Sequence, residues 1–254
     1  MADEFNILDG RSIDAFSVQK FGYNLDVDSG TVPEDIWDGG GVYAGFLAAA
    51  VSMEVLSSDA NDAAAGTGMR TVRIFGLDAN FNSQQEDVTL NGVTPVALAN
   101  QYIRIFRAQG LTAGSGLVNA GTITIRVPGP GATLAVITAG EGQTLMALYT
   151  TPADGPAETR ILRIYGSIGR QSAGFATIQL QVREVVNIGS DACWNTKAIG
   201  DINSQGTGFI ENILKRPIKV TAGTDIRVRC VETSVNNSAI AAGFDINADA
   251  TLAR

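Results

Sequence analysis

Apolar and polar side chains alternate along most of the chain, and one alternating segment occurs in two similar copies. The segment 70–76, Arg-Thr-Val-Arg-Ile-Phe-Gly, returns as Arg-Ile-Leu-Arg-Ile-Tyr-Gly at 160–166. A period of two places Val72 and Ile74 on one face of a strand and Arg73 on the other, which predicts that one face is buried. The repeat predicts an antiparallel β protein, built either as one unit or as two related β units.

From residue 51 onward, short alternating segments are separated by turn signals such as the Asn-Gly pair at 91–92. In the clearest of them, 175–183, the residues Ile178, Leu180 and Val182 share one face, which we expect to be buried. Such segments with short links are typical of an all-β, antiparallel β-sandwich of the jelly-roll kind. The predicted strands span 51–56, 71–75, 87–90, 102–107, 122–127, 134–138, 145–150, 160–165, 175–183, 218–220, 225–231 and 239–245.

One segment, 208–215, has two interpretations. Its apolar spacing fits one or two turns of helix, which Pro217 would end. The same residues also fit a bent strand, and both alternatives stay open at this point.

Residues 1–50 lack sustained alternation beyond a short strand predicted at 16–19, and they mix aromatic side chains with Asp and Gly. We predict an extended N-terminal arm at 1–50 that docks on its own body or on a neighbour. The rest, 51–254, is predicted to be the β-sandwich domain, with 51–139 and 140–254 as its candidate halves. The candidate contacts with partners are aromatic: Phe5, Phe16, Phe21, Tyr23, Trp37, Tyr43, Phe46 and Trp194.

Composition adds three expectations. Charged residues make up only 17% of the 254, which indicates a surface largely covered by neighbours. The net charge of -8 argues against a nucleic-acid partner, since phosphate binding needs a basic stripe. The longest apolar stretch, 39–51, is too short to span a bilayer, and the acidic N-terminus lacks a secretory pattern, so we expect no membrane segment and synthesis in a cytosol.

Strand patterns also place arginines and cysteines. Cys230 shares a face with Ile226 and Val228, which predicts a small buried side chain. The strand arginines are predicted to face outward and to pair with acidic neighbours: Arg73, Arg104, Arg163, Arg183, Arg227 and Arg229.

The chain contains no histidine, which removes Ser-His-Asp and Cys-His catalysis and His-based zinc sites from consideration. Carboxylate pairs such as Glu86 with Asp87, or Glu184 with Asp191, have no sequence context that singles them out as a glycosidase pair. We therefore expect no catalytic residues, no cofactor-binding residues and no enzymatic activity, with a polysaccharide-degrading β protein as the remaining enzymatic alternative.

Calcium is the one metal that the sequence suggests. Asp26 and Asp28 lie in a D-x-D-x-G segment, and Asp59 and Asp62 lie in a loop of small residues. Asx-turns explain both clusters without an ion.

Several motifs together resemble a known family. They are Thr-Val-Pro-Glu-Asp-Ile-Trp-Asp-Gly-Gly at 31–40, Ser-Ser-Asp at 57–59, Ala-Gly-Thr-Gly at 65–68, Arg-Ile-Phe-Gly-Leu-Asp at 73–78, Glu-Asp-Val-Thr-Leu-Asn-Gly at 86–92, Gly-Thr-Ile-Thr-Ile at 121–125 and Gly-Gln-Thr-Leu-Met-Ala at 142–147. The chain resembles a group of uncharacterised structural proteins of tailed phages, especially phages of aquatic and marine bacteria, from about Thr31 to Phe244. The resemblance implies a virion component and leaves its position in the particle open.

We therefore expect a non-enzymatic virion protein that decorates or cements the capsid. Its expected partners are copies of itself, as a trimer by analogy with the families it resembles, and other virion proteins such as the major capsid protein. The alternative is a tail, baseplate or fibre component that binds a host-surface glycan.

Overall fold

The computed structural model describes residues 15–129, 131–155, 158–169, 174–189, 191–205 and 208–249. Within these residues the strands are β1 (Ala15–Val27), β2 (Glu34–Asp35), β3 (Val51–Ser57), β4 (Met69–Leu77), β5 (Ser83–Thr89), β6 (Val96–Tyr102), β7 (Arg104–Ala113), β8 (Ile123–Arg126), β9 (Thr133–Ile137), β10 (Leu148–Thr150), β11 (Glu158–Gly169), β12 (Phe175–Glu184), β13 (Asn195–Asn203), β14 (Phe209–Thr221), β15 (Thr224–Thr233) and β16 (Ser238–Asp249). A four-residue helix, α1 (Val185–Ile188), follows β12. The predicted all-β, antiparallel fold is confirmed.

The strands form four antiparallel sheets. Sheet I has the order β5-β4-β7, and sheet II has the order β6-β3-β8-β9. Sheet III has the order β1-β16-β11-β14, and sheet IV has the order β10-β15-β12-β13, with β2 also paired to β15. No helix of the described residues has the length and apolar character that crossing a membrane requires.

Two large hydrophobic clusters form most of the core, and a small third one contains Leu77, Phe81 and Ile103. The first is built mainly from strands of sheets I and II, with Val72 and Ile74 fully buried. The second is built mainly from strands of sheets III and IV. Segment 146–149 contributes to both, because Met146 and Leu148 pack in the first cluster while Ala147 and Tyr149 pack in the second.

The two copies of the repeated segment occupy equivalent positions. Each forms part of the middle of a strand that has antiparallel neighbours on both sides, β4 in sheet I and β11 in sheet III. Arg73 pairs with Asp87 on the neighbouring strand, and Arg163 pairs with Asp245 and Glu211 on both of its neighbours. The predicted alternation is confirmed in the first copy, with Val72 and Ile74 inside and Arg73 outside. In the second copy a register shift between Ile161 and Arg163 interrupts it, so that Ile161 and Ile164 are buried while Arg163 stays outside.

The described part of the predicted N-terminal arm is more regular than its sequence indicates. β1 pairs with β16 over nearly its whole length, so the short strand expected at 16–19 is a strand of 13 residues. Its inward positions include Lys20, Gly22 and Asn24, all buried. The alternation is hidden in the sequence because these inward residues are polar or small. Residues 1–14, including Phe5, lie outside the described residues.

The segment 208–215 is a strand, and the helical alternative is wrong. β14 runs from Phe209 through Pro217 at the edge of sheet III. The register with β11 shifts between Arg163↔Ile213 and Ile161↔Ile218, which leaves Pro217 in an irregular stretch. Proline is tolerated there because an edge strand at a bulge does not need its N–H for a ladder hydrogen bond.

Other local predictions are also resolved. Gly92 has a φ of 58°, and Thr94 N donates to the Asn91 carbonyl at 3.1 Å, which confirms the turn at 91–92. Ile178, Leu180 and Val182 are buried as expected. The Cys230 thiol is buried and free, and Cys193 is exposed and free.

Candidate functional site

The strongest polar cluster in the described chain lies between the two halves of the core. Asp225, fully buried in β15, accepts hydrogen bonds through Oδ1 from Arg104 Nε at 2.9 Å and from Thr150 Oγ1 at 2.6 Å. Its Oδ2 accepts from Arg104 Nη2 at 2.9 Å and from Arg183 Nη2 at 2.7 Å. Arg104 Nη1 also donates to the Leu47 carbonyl at 2.7 Å. Because Arg104 belongs to sheet I and Asp225 to sheet IV, this cluster ties the two sheets together.

A second buried carboxylate, Asp35, is less well compensated. Its Oδ2 accepts from the Tyr43 N–H at 2.8 Å, while its Oδ1 lies 3.5 Å from Arg227 Nη1 and 3.4 Å from Arg229 Nε. Neither Asp35 Oδ1 nor Arg229 Nε has a hydrogen-bond partner. Burial raises the pKa of Asp35 against the attraction of Arg227, and burial lowers the pKa of Arg227 to about 10. The desolvation of these charges is therefore only partly offset.

Aromatic rings connect this charged region to the first hydrophobic cluster. Trp37, Tyr43, Phe46 and Trp194 form a chain of edge-to-face contacts, with successive ring centroids 5.1, 5.0 and 5.0 Å apart. The Arg227 guanidinium lies 3.9 Å from the Trp194 ring centroid. Such contacts favour a cation because the face of the ring is electron-rich. These aromatic rings therefore make their contacts within the chain itself.

This geometry corrects part of the predicted partner surface. Trp37 and Tyr43 are 4% and 5% exposed, so their surface is already used inside the fold. Phe46 packs against the first cluster, and Trp194 is half-buried under the arginines. Phe21 is 42% exposed and Tyr23 is half-buried. The Phe5 and Phe16 side chains lie outside what the structure describes.

The predicted outward orientation of the arginines is also partly wrong. Arg104 and Arg227 are 2% and 7% exposed, because their charges are balanced by buried Asp225 and Asp35. Their predicted pairing with acidic residues is confirmed. Net charge and alternation gave no sign of burial, since an arginine at an inward strand position looks the same in sequence as one at an outward position.

The outer face of sheet III carries aromatic side chains around a floor of small residues. One row across the four strands is Phe21, Gly243, Tyr165 and Glu211, and the next is Tyr23, Ala241, Ser167 and Phe209. A groove of about 440 Å³ lies along these rows. The tyrosine ring packs across the glycine of its row, where a Cβ would come within 2.5 Å of the hydroxyl oxygen. Within the described residues, this face combines exposed aromatic rings with a groove.

At the border of this face, one arginine is shared by two carboxylates. Arg163 pairs with Asp245 and Glu211 and lies 5.1 Å from the Tyr165 ring centroid. Ile213, in the same row as Arg163, is 68% exposed. The outer face of sheet III is therefore apolar at its centre, with ion pairs at its border.

The first pair of calcium candidates lies beside an open acidic cavity. Asp26 and Asp28 line about 640 Å³ together with Glu34 and Asp38. Glu34 Oε2 accepts from Asn24 Nδ2 at 3.0 Å, and Asp28 Oδ1 accepts from a backbone N–H at 2.7 Å. Across the part of the chain that the structure describes, no three His, Cys, Asp or Glu side chains are grouped as a metal site would need. Calcium at this place stays a prediction.

The second pair has clear structural roles. Asp59 Oδ1 accepts from Asn61 N at 2.8 Å, which is the Asx-turn named as the alternative. Asp62 is fully buried and accepts four hydrogen bonds. Its donors are Met69 N at 2.7 Å, Ala120 N at 2.8 Å, Gly121 N at 2.9 Å and Ser57 Oγ at 2.6 Å. The Asp62 carboxylate thus fixes the loop by accepting donors from three other segments.

One of the two carboxylate pairs considered for glycoside hydrolysis also has structural partners. Glu86 accepts from the backbone N–H groups of Ala99 and Asn100 at 2.8 and 3.2 Å, and Asp87 is paired with Arg73 at 2.6 Å. Both side chains thereby support the edges of sheets I and II. A glycosidase acid instead needs access to the sugar and a second carboxylate across it.

Sequence reasoning also missed two groups with strongly shifted pKa values, the buried Lys20 and the half-buried Asp38. Burial lowers the pKa of Lys20 to about 7 and raises the pKa of Asp38 to about 7. The missing signal was the register of β1: once Val18, Gly22 and Asn24 are placed on the inner face, Lys20 follows.

Comparison with known proteins gives little evidence about the family or the function of this chain. No protein-family model matches the sequence, and no curated protein matches it. A solved structure titled as the T13 IBDV viral particle is 11% identical over 92% of this chain and 67% of that chain, with a TM-score of 0.22. The infectious bursal disease virus VP2 subviral particle is 9% identical over 93% of this chain and 72% of that chain, also with a TM-score of 0.22. Both are proteins of virus particles, and TM-scores this low carry no weight for fold or function.

Proposed function

We propose that this chain is a non-enzymatic structural protein of a bacteriophage particle, and specifically a protein that decorates or cements the capsid. The observation that carries the proposal is the outer face of sheet III, where Phe21, Phe209 and Ile213 stay exposed beside a groove. Elsewhere, Arg104, Arg183 and Trp194 are engaged in contacts inside the chain. An exposed apolar face of this kind is typical of a surface that contacts another protein.

The occupant that this face fits best is a second copy of the chain. Four strands about 4.8 Å apart, each 12 or 13 residues long at about 3.3 Å per residue, give a face of roughly 600 Å². Two such faces bury roughly 1,200 Å² in total, the lower end of the range for a specific interface. At the border of the face, Arg163 balances one of the two carboxylates it pairs with, so only a small net negative charge opposes contact with a second copy. We propose a homo-oligomer seated on the major capsid protein of the virion. Contact between two identical faces relates two copies by a two-fold axis, and the trimer expected from the resemblance would need a further contact between copies.

Quantitative mass spectrometry of purified particles tests the role. A decoration protein is expected in hundreds of copies per particle. A few dozen copies would instead indicate a tail position, and complete absence from particles would overturn the proposal.

One observation favours a second candidate, a tail, baseplate or fibre component that binds a host-surface glycan. The groove on sheet III has aromatic walls and a floor of Ala241 and Ser167, a shape on which a sugar ring can stack. Tyr165 is a better candidate contact than Trp194, whose ring is stacked on Arg227. On a glycan array, Tyr165→Ala should then abolish a signal that Tyr149→Phe, in the interior, retains. No signal from the wild-type protein would reject this candidate.

A further inference from the structure

A separate cavity lies between sheet III and sheet I. It has a volume of about 230 Å³ and is lined by β1 on one side and by Phe75, Phe106 and Arg107 on the other. Tyr149 and Thr144 complete its wall. Four of its ten lining residues are aromatic, and both charged side chains that line it, Lys20 and Arg107, are cationic.

Lys20 is placed in this wall without a counter-ion. Its side chain is buried, with 8% exposed, and Nζ donates to the Phe106 carbonyl. The Phe106 ring centroid lies 6.0 Å from Nζ. Among the described residues, Lys20 forms no ion pair within 4.0 Å. An ammonium group has three donors, so two of them are left for a group inside the cavity.

Arg107 adds positive charge at the exposed side of the cavity. Its guanidinium lies 5.9 Å from the Phe75 ring centroid and donates to Gln143 Oε1 at 3.5 Å. Asp38 attracts the Lys20 charge from a distance beyond an ion pair, and Arg107 opposes it. A buried cation in this setting is stabilised by an anion that also accepts hydrogen bonds.

We propose that this cavity binds a small organic carboxylate with a single-ring or branched apolar body. The carboxylate would accept from Lys20 Nζ and lie within the field of Arg107, while the body would pack on Phe75, Phe106 and Tyr149. The volume suffices, because an engineered cavity of about 150 Å³ in another protein holds benzene. Aromatic walls with a cation at one end select against both inorganic anions and neutral rings.

Protonation of Lys20 supplies a signature for such binding. Burial, and then Arg107, lower its pKa to about 7, so about half of the unliganded protein is uncharged at Lys20 at pH 7. The other titratable groups facing it are Asp38 and Tyr149, and burial raises the pKa of both, to about 7 and about 12. A carboxylate that binds the ammonium form takes up about half a proton at pH 7. Its affinity then falls about tenfold for each pH unit above 7.

Isothermal titration with benzoate tests the site, with benzamide as a neutral analogue of the same shape. We expect benzoate to bind at least tenfold more tightly than benzamide, with proton uptake measured from titrations in two buffers of different ionisation enthalpy. Equal affinity for the two compounds, absence of benzoate binding, or binding without proton uptake would each overturn the proposal.

Two lysine variants complete the test. Lys20→Met keeps the apolar stem and should weaken benzoate binding at least tenfold, whereas Lys197→Met, at an exposed lysine of β13, should leave it unchanged. If Lys20→Met does not fold, proton uptake and pH dependence of the wild-type protein decide the question alone. Unchanged binding by a folded Lys20→Met protein would contradict the assignment.

Discussion

At the residue scale, the buried carboxylate of Asp225 is the point where sheets I and IV meet. It balances Arg104 and Arg183, which are 3% and 14% exposed at their side chains. The net stabilisation by such a cluster is modest, because burial of each charge costs nearly what the pairing returns. Removing one partner is far more costly, because it leaves the opposite charges buried without compensation.

Asp225→Asn should therefore lower the free energy of unfolding by about 3–5 kcal/mol, measured by urea denaturation. The substitution keeps the volume and removes the charge. The matched control is Asp87→Asn, which breaks the exposed pair with Arg73 and should shift the midpoint little. Equal effects of the two substitutions would show that the buried cluster does not join the sheets.

Asp62 provides a second residue-scale test, of loop structure against metal binding. In Asp62→Asn, an NH2 group replaces one of the two carboxylate oxygens. In either orientation of the amide, this NH2 group would face two groups that donate hydrogen bonds to the carboxylate in the wild type. We expect a loss of about 2–4 kcal/mol in unfolding free energy. Asp59→Asn keeps its acceptor for Asn61 N and should be neutral. If calcium were bound here, added calcium would raise the melting temperature of the wild type and both substitutions would remove that increase.

The pKa of Lys20 predicts a pH dependence of stability. The folded value of about 7 lies below the unfolded value of about 10.5, so between these the unfolded state binds more protons and stability rises with pH. From pH 7 to 8.5 Lys20 should raise the unfolding free energy of the ligand-free protein by roughly 1.5 kcal/mol. Asp38 opposes this rise by roughly 0.4 kcal/mol, because burial raises its pKa to about 7 and its folded state still binds part of a proton in this range. The range stops there because burial raises the pKa of Cys230 from 9.0 to about 11, which opposes the trend at higher pH.

Urea denaturation between pH 7 and 8.5 of the variants Lys20→Met and Lys197→Met shows which lysine causes the rise in unfolding free energy. The rise should disappear in the first variant and persist in the second. A rise that survives in Lys20→Met would assign it to other groups.

At the scale of strands, the sequence predicted those with one apolar face and missed those without. β4, β11 and β12 place aliphatic residues such as Val72, Ile164 and Leu180 at inward positions near their centres, and their patterns were recognised. β6 and β13 are half-exposed edge strands with polar or small residues such as Asn100 and Gly200. The two faces of each strand therefore differ too little in hydrophobicity for the alternation to be recognised in the sequence. The contacts of Asp225 with Arg104 join residues 121 positions apart, which no local pattern contains.

The end of the first repeat copy offers a test at this scale. A Cβ at Gly76 would lie 2.2 Å from the Arg104 carbonyl oxygen, where β4 and β7 shift register. Gly76→Ala should therefore destabilise the protein by about 1–3 kcal/mol. Gly30→Ala, where nothing lies within 4 Å of the added atom, is the control and should be neutral in the same thermal denaturation series. An unaffected Gly76→Ala protein would mean that the two strands can separate without cost.

At the scale of the whole molecule, the proposed interface depends on the outer face of sheet III. Phe21 and Ile213 lie on this face and are 42% and 68% exposed. The double substitution Phe21→Ser/Ile213→Ser should convert an oligomer into single chains with little change in melting temperature, measured by light scattering after gel filtration. Val93→Ser/Leu117→Ser, at exposed apolar residues elsewhere, should leave the oligomer intact. A wild-type protein that is monomeric at high concentration would refute the self-association.

A reconstruction of the purified phage particle tests the central claim most directly. The account predicts density for this β fold on the capsid, repeated according to its symmetry, with the β1-β16-β11-β14 face covered by a neighbouring copy. Density with that face open to solvent, or particles that lack the protein, would contradict the account.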